Sequence, residues 1–130
     1  TPNKSQSIMQ DIYDDLVNYN SEYTNNQLSK LEVLFNRSNF NELEKRSKQL
    51  IVIFPEEVQF HIFLGSAQIS LGKTILAIKT YENALKFNPT DDNLLSNMGL
   101  AQLKAGFLTH SELFFRKSLL KNKNNFLINN

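Results

Sequence analysis

Residues 67–74 read AQISLGKT, a small residue and four of any kind before Gly-Lys-Thr, the loose form of a phosphate loop. In a nucleotide-binding protein that pattern joins a strand to a helix, and the backbone amides of the loop cradle the phosphates. Other reactive side chains are sparse. His61 and His110 are the only histidines, and their separation is not that of a zinc pair such as H-E-x-x-H. There is no cysteine, which removes disulfides, thiolate metal sites and cysteine nucleophiles. The acidic pairs Asp14-Asp15, Glu56-Glu57 and Asp91-Asp92 fall beside expected helix ends, where carboxylates favour the positive end of the helix dipole. The last two pairs read as caps or first-turn charges. No serine lies in a nucleophile elbow. The triplet Asn36-Arg37-Ser38 is a formal glycosylation sequon in an expected turn, and without a secretory segment it reads as accidental.

The bulk properties narrow the classes further. With 130 residues, 41% hydrophobic and 21% charged, the composition is that of an ordinary globular domain able to bury a core. A formal net charge of +1 lacks the basic excess that a phosphate-neutralising nucleic-acid binder needs. No apolar run approaches the roughly 20 residues that cross a bilayer, so membrane insertion is not expected. The opening TPNKSQSIMQD has no apolar signal-peptide core, and the absence of cysteine leaves reducing and oxidising compartments both open, the cytoplasm slightly favoured.

The chemistry-bearing residues sit inside a repeat. Pro55 and Pro89, Gly65 and Gly99, and Gly72 and Gly106 are each 34 positions apart. At this period residues 58–91 align with 92–125: Ala67-Gln68 falls on Ala101-Gln102, Tyr81 on Phe115, and Ala84-Leu85 on Ser118-Leu119. Residues 24–57 form a divergent first copy that keeps Leu31, Leu34, Phe40, Leu43, Leu50, Ile51 and Pro55 but lacks the glycines. Within each copy apolar residues recur at three and four, as in Phe60, Phe63, Leu64, Ala67 and Leu71, then Ile78, Tyr81 and Leu85, which predicts two helices. Gly72 stands where a left-handed C-terminal cap costs glycine little. Proline after Asn88 ends the second helix. AQISLGKT is therefore expected to be the end of one helix, its cap and the start of the next. Its counterpart one period later, AQLKAGFL, keeps the alanine and the glycine but neither the lysine nor the hydroxyl. Gly65 and Gly99, with Ala77 and Ala84, are expected where helices approach closely.

These residues resemble the tetratricopeptide repeat. Leu64-Gly65, Gln68, Ala77, Tyr81, Ala84 and Pro89 match its offsets in the second copy, with His61 in a place usually aromatic. Leu95, Met98-Gly99, Gln102, Ser111, Phe115 and Ser118 match in the third. Lys123 replaces the closing proline, and Gln68 and Gln102 stand where an aromatic is common. The resemblance implies an all-α, right-handed α–α superhelix, a solenoid of three helix pairs. An extra amphipathic helix, within an N-terminal segment 1–23, is expected ahead of them, with Ser7 and Gln10 as its capping box. It is expected to cap the first repeat, with the groove or another protomer as the alternatives. Residues 126–130 fall where another first helix would begin, so the chain is expected either to be part of something longer or to bury this end against a second copy.

In this family the first helices line a concave surface. The resemblance thus implies a groove for a peptide or partner formed by Leu28, Glu32, Phe35, Gln59, Ile62, Phe63, Ser66, Ile69, Asn93, Asn97, Leu100 and Lys104. The basic half of the carboxylate clamp found in some members is missing, since Leu28, Glu32, Phe63, Asn93 and Asn97 hold the corresponding places. Phe114, Phe115, Leu119 and Leu120 form a candidate self-association face on the last helix, through which a homodimer could form. The expected function is a noncatalytic protein-interaction scaffold without cofactor or metal. The alternative is an accessory segment of a larger enzyme, as in bacterial glycosyl- or sulfotransferases whose repeats precede the catalytic domain.

Overall fold

A computed structural model describes the backbone of residues 3–129 and the side chains of residues 3–121. Among the described residues there are six helices and no strands: α1 (Lys4–Asn36), α2 (Phe40–Ile53), α3 (Val58–Ser70), α4 (Thr74–Phe87), α5 (Asp92–Ala105) and α6 (Leu108–Asn129). They form three antiparallel pairs, and each helix packs chiefly on its neighbours in sequence. α3 also meets α1 and α5, so the first helices of the pairs form one layer.

Punctuation in the sequence places most of the helix ends. α2 and α4 stop at Ile53 and Phe87, two residues before Pro55 and Pro89, whose rings bar helical continuation. After α3 and α5 the chain turns through Gly72 (φ 79°) and Gly106 (φ 87°), left-handed conformations that L side chains resist. Asp91 caps α5, its carboxylate accepting from the Leu94 amide at 3.0 Å. Asp92 follows in the first turn and accepts from the Ser118 hydroxyl of α6. Ser38 takes a left-handed φ of 56° in the turn after α1.

The two terminal helices differ from the sequence expectation. The N-terminal segment is not a separate helix but the beginning of α1, which runs 33 residues. No glycine or proline interrupts positions 4–36, so nothing stops the helix before it enters the first pair. Its capping box is Asn3 with Gln6, not Ser7 with Gln10. Gln10 instead donates to Asp14 at 2.9 Å, and Asp14-Asp15 lie mid-helix. The segment caps no repeat, since residues 3–22 are exposed throughout. At the other end, α6 continues unbroken to Asn129, so the further helix expected at 126–130 does not begin there. Lys123 has no ring to end it, and residue 130 lies outside the described residues.

The interior follows the 34-residue period closely. Phe60 and Leu94, Leu64 and Met98, Ala67 and Ala101, and the trio Leu43, Ala77 and Ser111 are buried at equivalent positions. Glycine serves a specific neighbour: a Cβ on Gly65 would overlap the ring of Tyr81, and one on Gly99 would lie 2.8 Å from Phe115. The close approach expected from the sequence is thus between a first helix and the aromatic side chain of its own partner helix. In the divergent first copy the same two places hold Leu31 and Ser47, both buried. The bulk has moved from the second helix to the first.

Gly65→Leu is expected to lower the unfolding free energy by about 1–3 kcal/mol through overpacking. Adding Tyr81→Ser, which imports the first copy's arrangement, should recover part of that loss. Urea titration of the single and double variants measures the coupling; strictly additive effects would sever the link between the two positions.

Candidate functional site

The phosphate-loop reading fails on geometry. Ala67 to Ser70 are the last turn of α3, and Thr74 opens α4, so no strand leads into the motif. The turn amides are directed into the preceding helix: Gly72 N–H donates to Ile69 O at 3.0 Å and Lys73 N–H to Gln68 O at 2.7 Å. They cannot cradle a phosphate at the same time. The Lys73 ammonium reaches back to α2, where Glu44 accepts at 2.8 Å, and Lys48 stands 3.9 Å from the other oxygen of that carboxylate. Glu44 is buried, so the lysine of the motif compensates a charge inside the stack.

The histidines also have structural surroundings. Buried His61 on α3 donates through Nε2 to the Pro55 carbonyl at 2.7 Å, tying the helix to the turn before it. His110 lies exposed on α6 beside the Phe107 ring. Gln68, in a place often aromatic, is buried and accepts from the Thr80 hydroxyl at 2.7 Å. Gln102 is buried as well, its amide directed at the Met98 sulfur.

The layer of first helices carries a groove of about 450 Å³, lined by Phe35 of α1, Ser66, Ile69 and Ser70 of α3, and Asn97, Leu100, Leu103 and Lys104 of α5, with Tyr81 of α4. Of the groove residues expected from the sequence, the structure therefore gathers Phe35, Ser66, Ile69, Asn97, Leu100 and Lys104. The others fall outside it. Leu28 and Phe63 pack on the buried cluster of Leu31, Leu43 and Phe60, and Ile62 packs on that of Ala77, Tyr81 and Met98. Gln59 is half-buried, while Glu32 and Asn93 are exposed. Phe63 still shapes the groove from behind, its ring 6.4 Å from that of Phe35 in an edge-to-face pair.

Asn97 donates one amide hydrogen to its own helix at Asn93 O, 2.7 Å away, which steadies the side chain against α5. Apolar floor and wall come from Phe35, Ile69, Leu100 and Leu103; Ser66, Ser70 and Asn97 add hydroxyl and amide groups, and Lys104 supplies a cation at one end. Such a lining suits an apolar side chain flanked by backbone amides more than it suits a reactive centre.

Tyr81 is the groove residue that sequence reasoning assigned only to packing. The signal lay in Gly65: where the first helix lacks a side chain, the ring from the second helix fills the gap behind the groove and is itself fully buried. Its hydroxyl is buried without a hydrogen-bond partner. Burial raises its pKa above the usual phenol value, and Ser66 beside it acts weakly in the opposite sense, although the two oxygens do not meet hydrogen-bond geometry. A pKa raised on folding means stability that is complete below pH about 10 and is lost as pH rises through the folded value.

Residues 65–106 match the family described as TPR repeat. No curated protein matches the sequence. Among solved structures, the Yersinia enterocolitica type III secretion chaperone SycD in complex with a peptide of the translocator YopD superposes with a TM-score of 0.69 at 16% identity, covering 75% of this chain and 74% of that one. SycD in an alternative dimer gives 0.70 at 20% identity over 78% and 79%. The MamA RS-1 ArsTM double mutant gives 0.72 at 12% identity over 88% and 64%. At such identities the likeness is one of fold.

Lys73→Met should destabilise the chain by about 1 kcal/mol, a loss kept small by the exposure of the ammonium and by Lys48. In thermal melts, ATP with magnesium should leave the wild-type Tm unchanged; a clear rise would restore the phosphate-loop reading. Tyr81→Phe should not destabilise at neutral pH, because it removes an unpaired buried hydroxyl. It should also lessen the fall in stability above pH about 10, as urea titrations across that range would show.

Proposed function

We propose, from the match of residues 65–106 to the TPR repeat, that the chain is a noncatalytic protein-interaction module that takes a peptide or a partner's extended segment along the face of its first helices. The groove formed by Phe35, Ile69, Leu100 and Leu103 with Asn97 and Lys104 carries this reading. An extended peptide would place an apolar side chain on the four hydrophobic residues. Its backbone amides would meet Asn97 and the serines, and the lone cation Lys104 favours an acidic group at that end. The fold it shares with SycD, solved holding a peptide of YopD, supports a peptide-sized occupant. A larger share of the binding energy is expected from the apolar contacts than from the rim.

Panning a displayed random-peptide library on the intact protein tests this directly. Enriched peptides should share an apolar anchor, and Leu100→Asp should weaken their binding about tenfold or more, in line with loss of a central contact. Leu76→Asp on α4, away from the groove, should leave binding unchanged. Peptides that bind Leu100→Asp as tightly as wild type would move the site elsewhere. Phe63→Ala is a poorer probe, because Phe63 belongs to the packed core.

A further inference from the structure

A first helix in the interior of this stack touches two second helices. α3 packs between α2 and its own partner α4, and α5 packs between α4 and α6. Among the described residues, no second helix precedes α1 and no helix covers the outer side of α6. The two ends of the described array are thus complementary surfaces, one shaped for a second helix and the other for a first.

The side chains at these ends match. Over residues 4–22, roughly 28 Å of helix, α1 stands clear of the fold with every residue exposed. Ile8, Met9, Ile12, Tyr13, Leu16 and Tyr19 are 50–67% exposed and lie on one side at helical spacing. That stripe runs on into Tyr23, whose ring packs 5.9 Å from Phe54, so the free arm is an extension of a seam already used for packing. Its polar side is acidic: residues 4–22 contain Lys4 against Asp11, Asp14, Asp15 and Glu22, a net charge of −3. On α6, Ser111, Phe114, Phe115 and Ser118 turn inward. Of the self-association face expected from the sequence, only Leu119 and Leu120 are therefore exposed. The outward side presents Leu113 and Leu120, 49% and 60% exposed, with Arg116 between them and Lys117 alongside. Residues 108–121 contain Arg116, Lys117 and Lys121 against Glu112, a net charge of +2.

We propose that the acidic arm of one copy docks on the outer face of α6 of a second copy, so that chains associate head to tail. Ile8, Ile12 and Leu16 would cover Leu113 and Leu120, and the arm's aspartates would face Arg116 and Lys117. Pairing two arms would instead bring like charges together. The interface is heterologous, joining different surfaces of the two chains, and it repeats until a ring closes or the chain of copies ends. It does not depend on the peptide groove.

Sedimentation velocity of the intact protein over a range of concentrations tests the proposal. Average mass should rise with concentration and rise less at high salt, which screens the charge pairing. Ile12→Asp with Leu16→Asp, and separately Leu113→Asp with Leu120→Asp, should each be monomeric while keeping the wild-type helical circular dichroism. Mixed in equal amounts, the two variants should form a 1:1 complex that grows no further, because each retains one working surface. Asp14→Lys with Asp15→Lys should weaken association, and Arg116→Glu with Lys117→Glu placed in the same chain should restore it. Leu100→Asp, in the groove, should leave association intact. A wild type that stays monomeric to millimolar concentration overturns the proposal, as does a mixture that fails to pair. Association abolished by Leu100→Asp but not by the α6 variant would overturn it too, by placing the arm in the groove.

Discussion

In each helix pair one position on the first helix and one on the second compete for the same volume, and the stack depends on how that competition is resolved. In the second and third pairs the first helix yields, with Gly65 under Tyr81 and Gly99 under Phe115. In the first pair Leu31 stands at the glycine's place and Ser47 at the aromatic's. Either arrangement fills the space between the helices, which close packing requires. The two differ in what the concave side receives. A glycine admits the partner's ring, and so Tyr81 backs the groove, fully buried and with its hydroxyl unpaired; a leucine fills that space itself.

The same pairing logic accounts for side chains that suggest chemistry when read alone. Lys73 looks like a phosphate ligand in AQISLGKT until α2 is placed beside it, when Glu44 becomes its partner. His61 looks available until the Pro55 carbonyl is found at its ring. Ser96, Ser118 and Asp92 gather at the junction of α5 and α6, a cluster that joins the helices through a hydroxyl relay ending on the Asp92 carboxylate.

Much of the fold was legible because it is written in residues that forbid something. Pro55 and Pro89 forbid helical continuation, Gly72 and Gly106 mark left-handed turns that disfavour most other residues, and their common spacing set the period. The ends of the array were less legible for the complementary reason. Between Lys4 and Asn36, and again after Leu108, nothing forbids a helix, so boundaries inferred from an expected repeat length had no physical counterpart. The groove was half legible. Periodicity located the face of each first helix, which found Phe35, Ser66, Ile69, Asn97, Leu100 and Lys104. It could not tell which residues of that face are covered by a neighbouring helix, as Leu28, Ile62 and Phe63 are. Nor could it tell that Phe114 and Phe115, apolar on an apparently uncovered helix, turn towards α5.

Because each helix packs chiefly on its neighbours in sequence, the chain never needs to bring distant segments together in order to fold. Contacts of this kind close short loops, which favours fast folding, and a linear array can begin at any pair and extend outward. During synthesis α1 and α2 can pair while α5 and α6 are still unmade. The helix pairs would then form one after another, each new helix covering the edge left by the one before it.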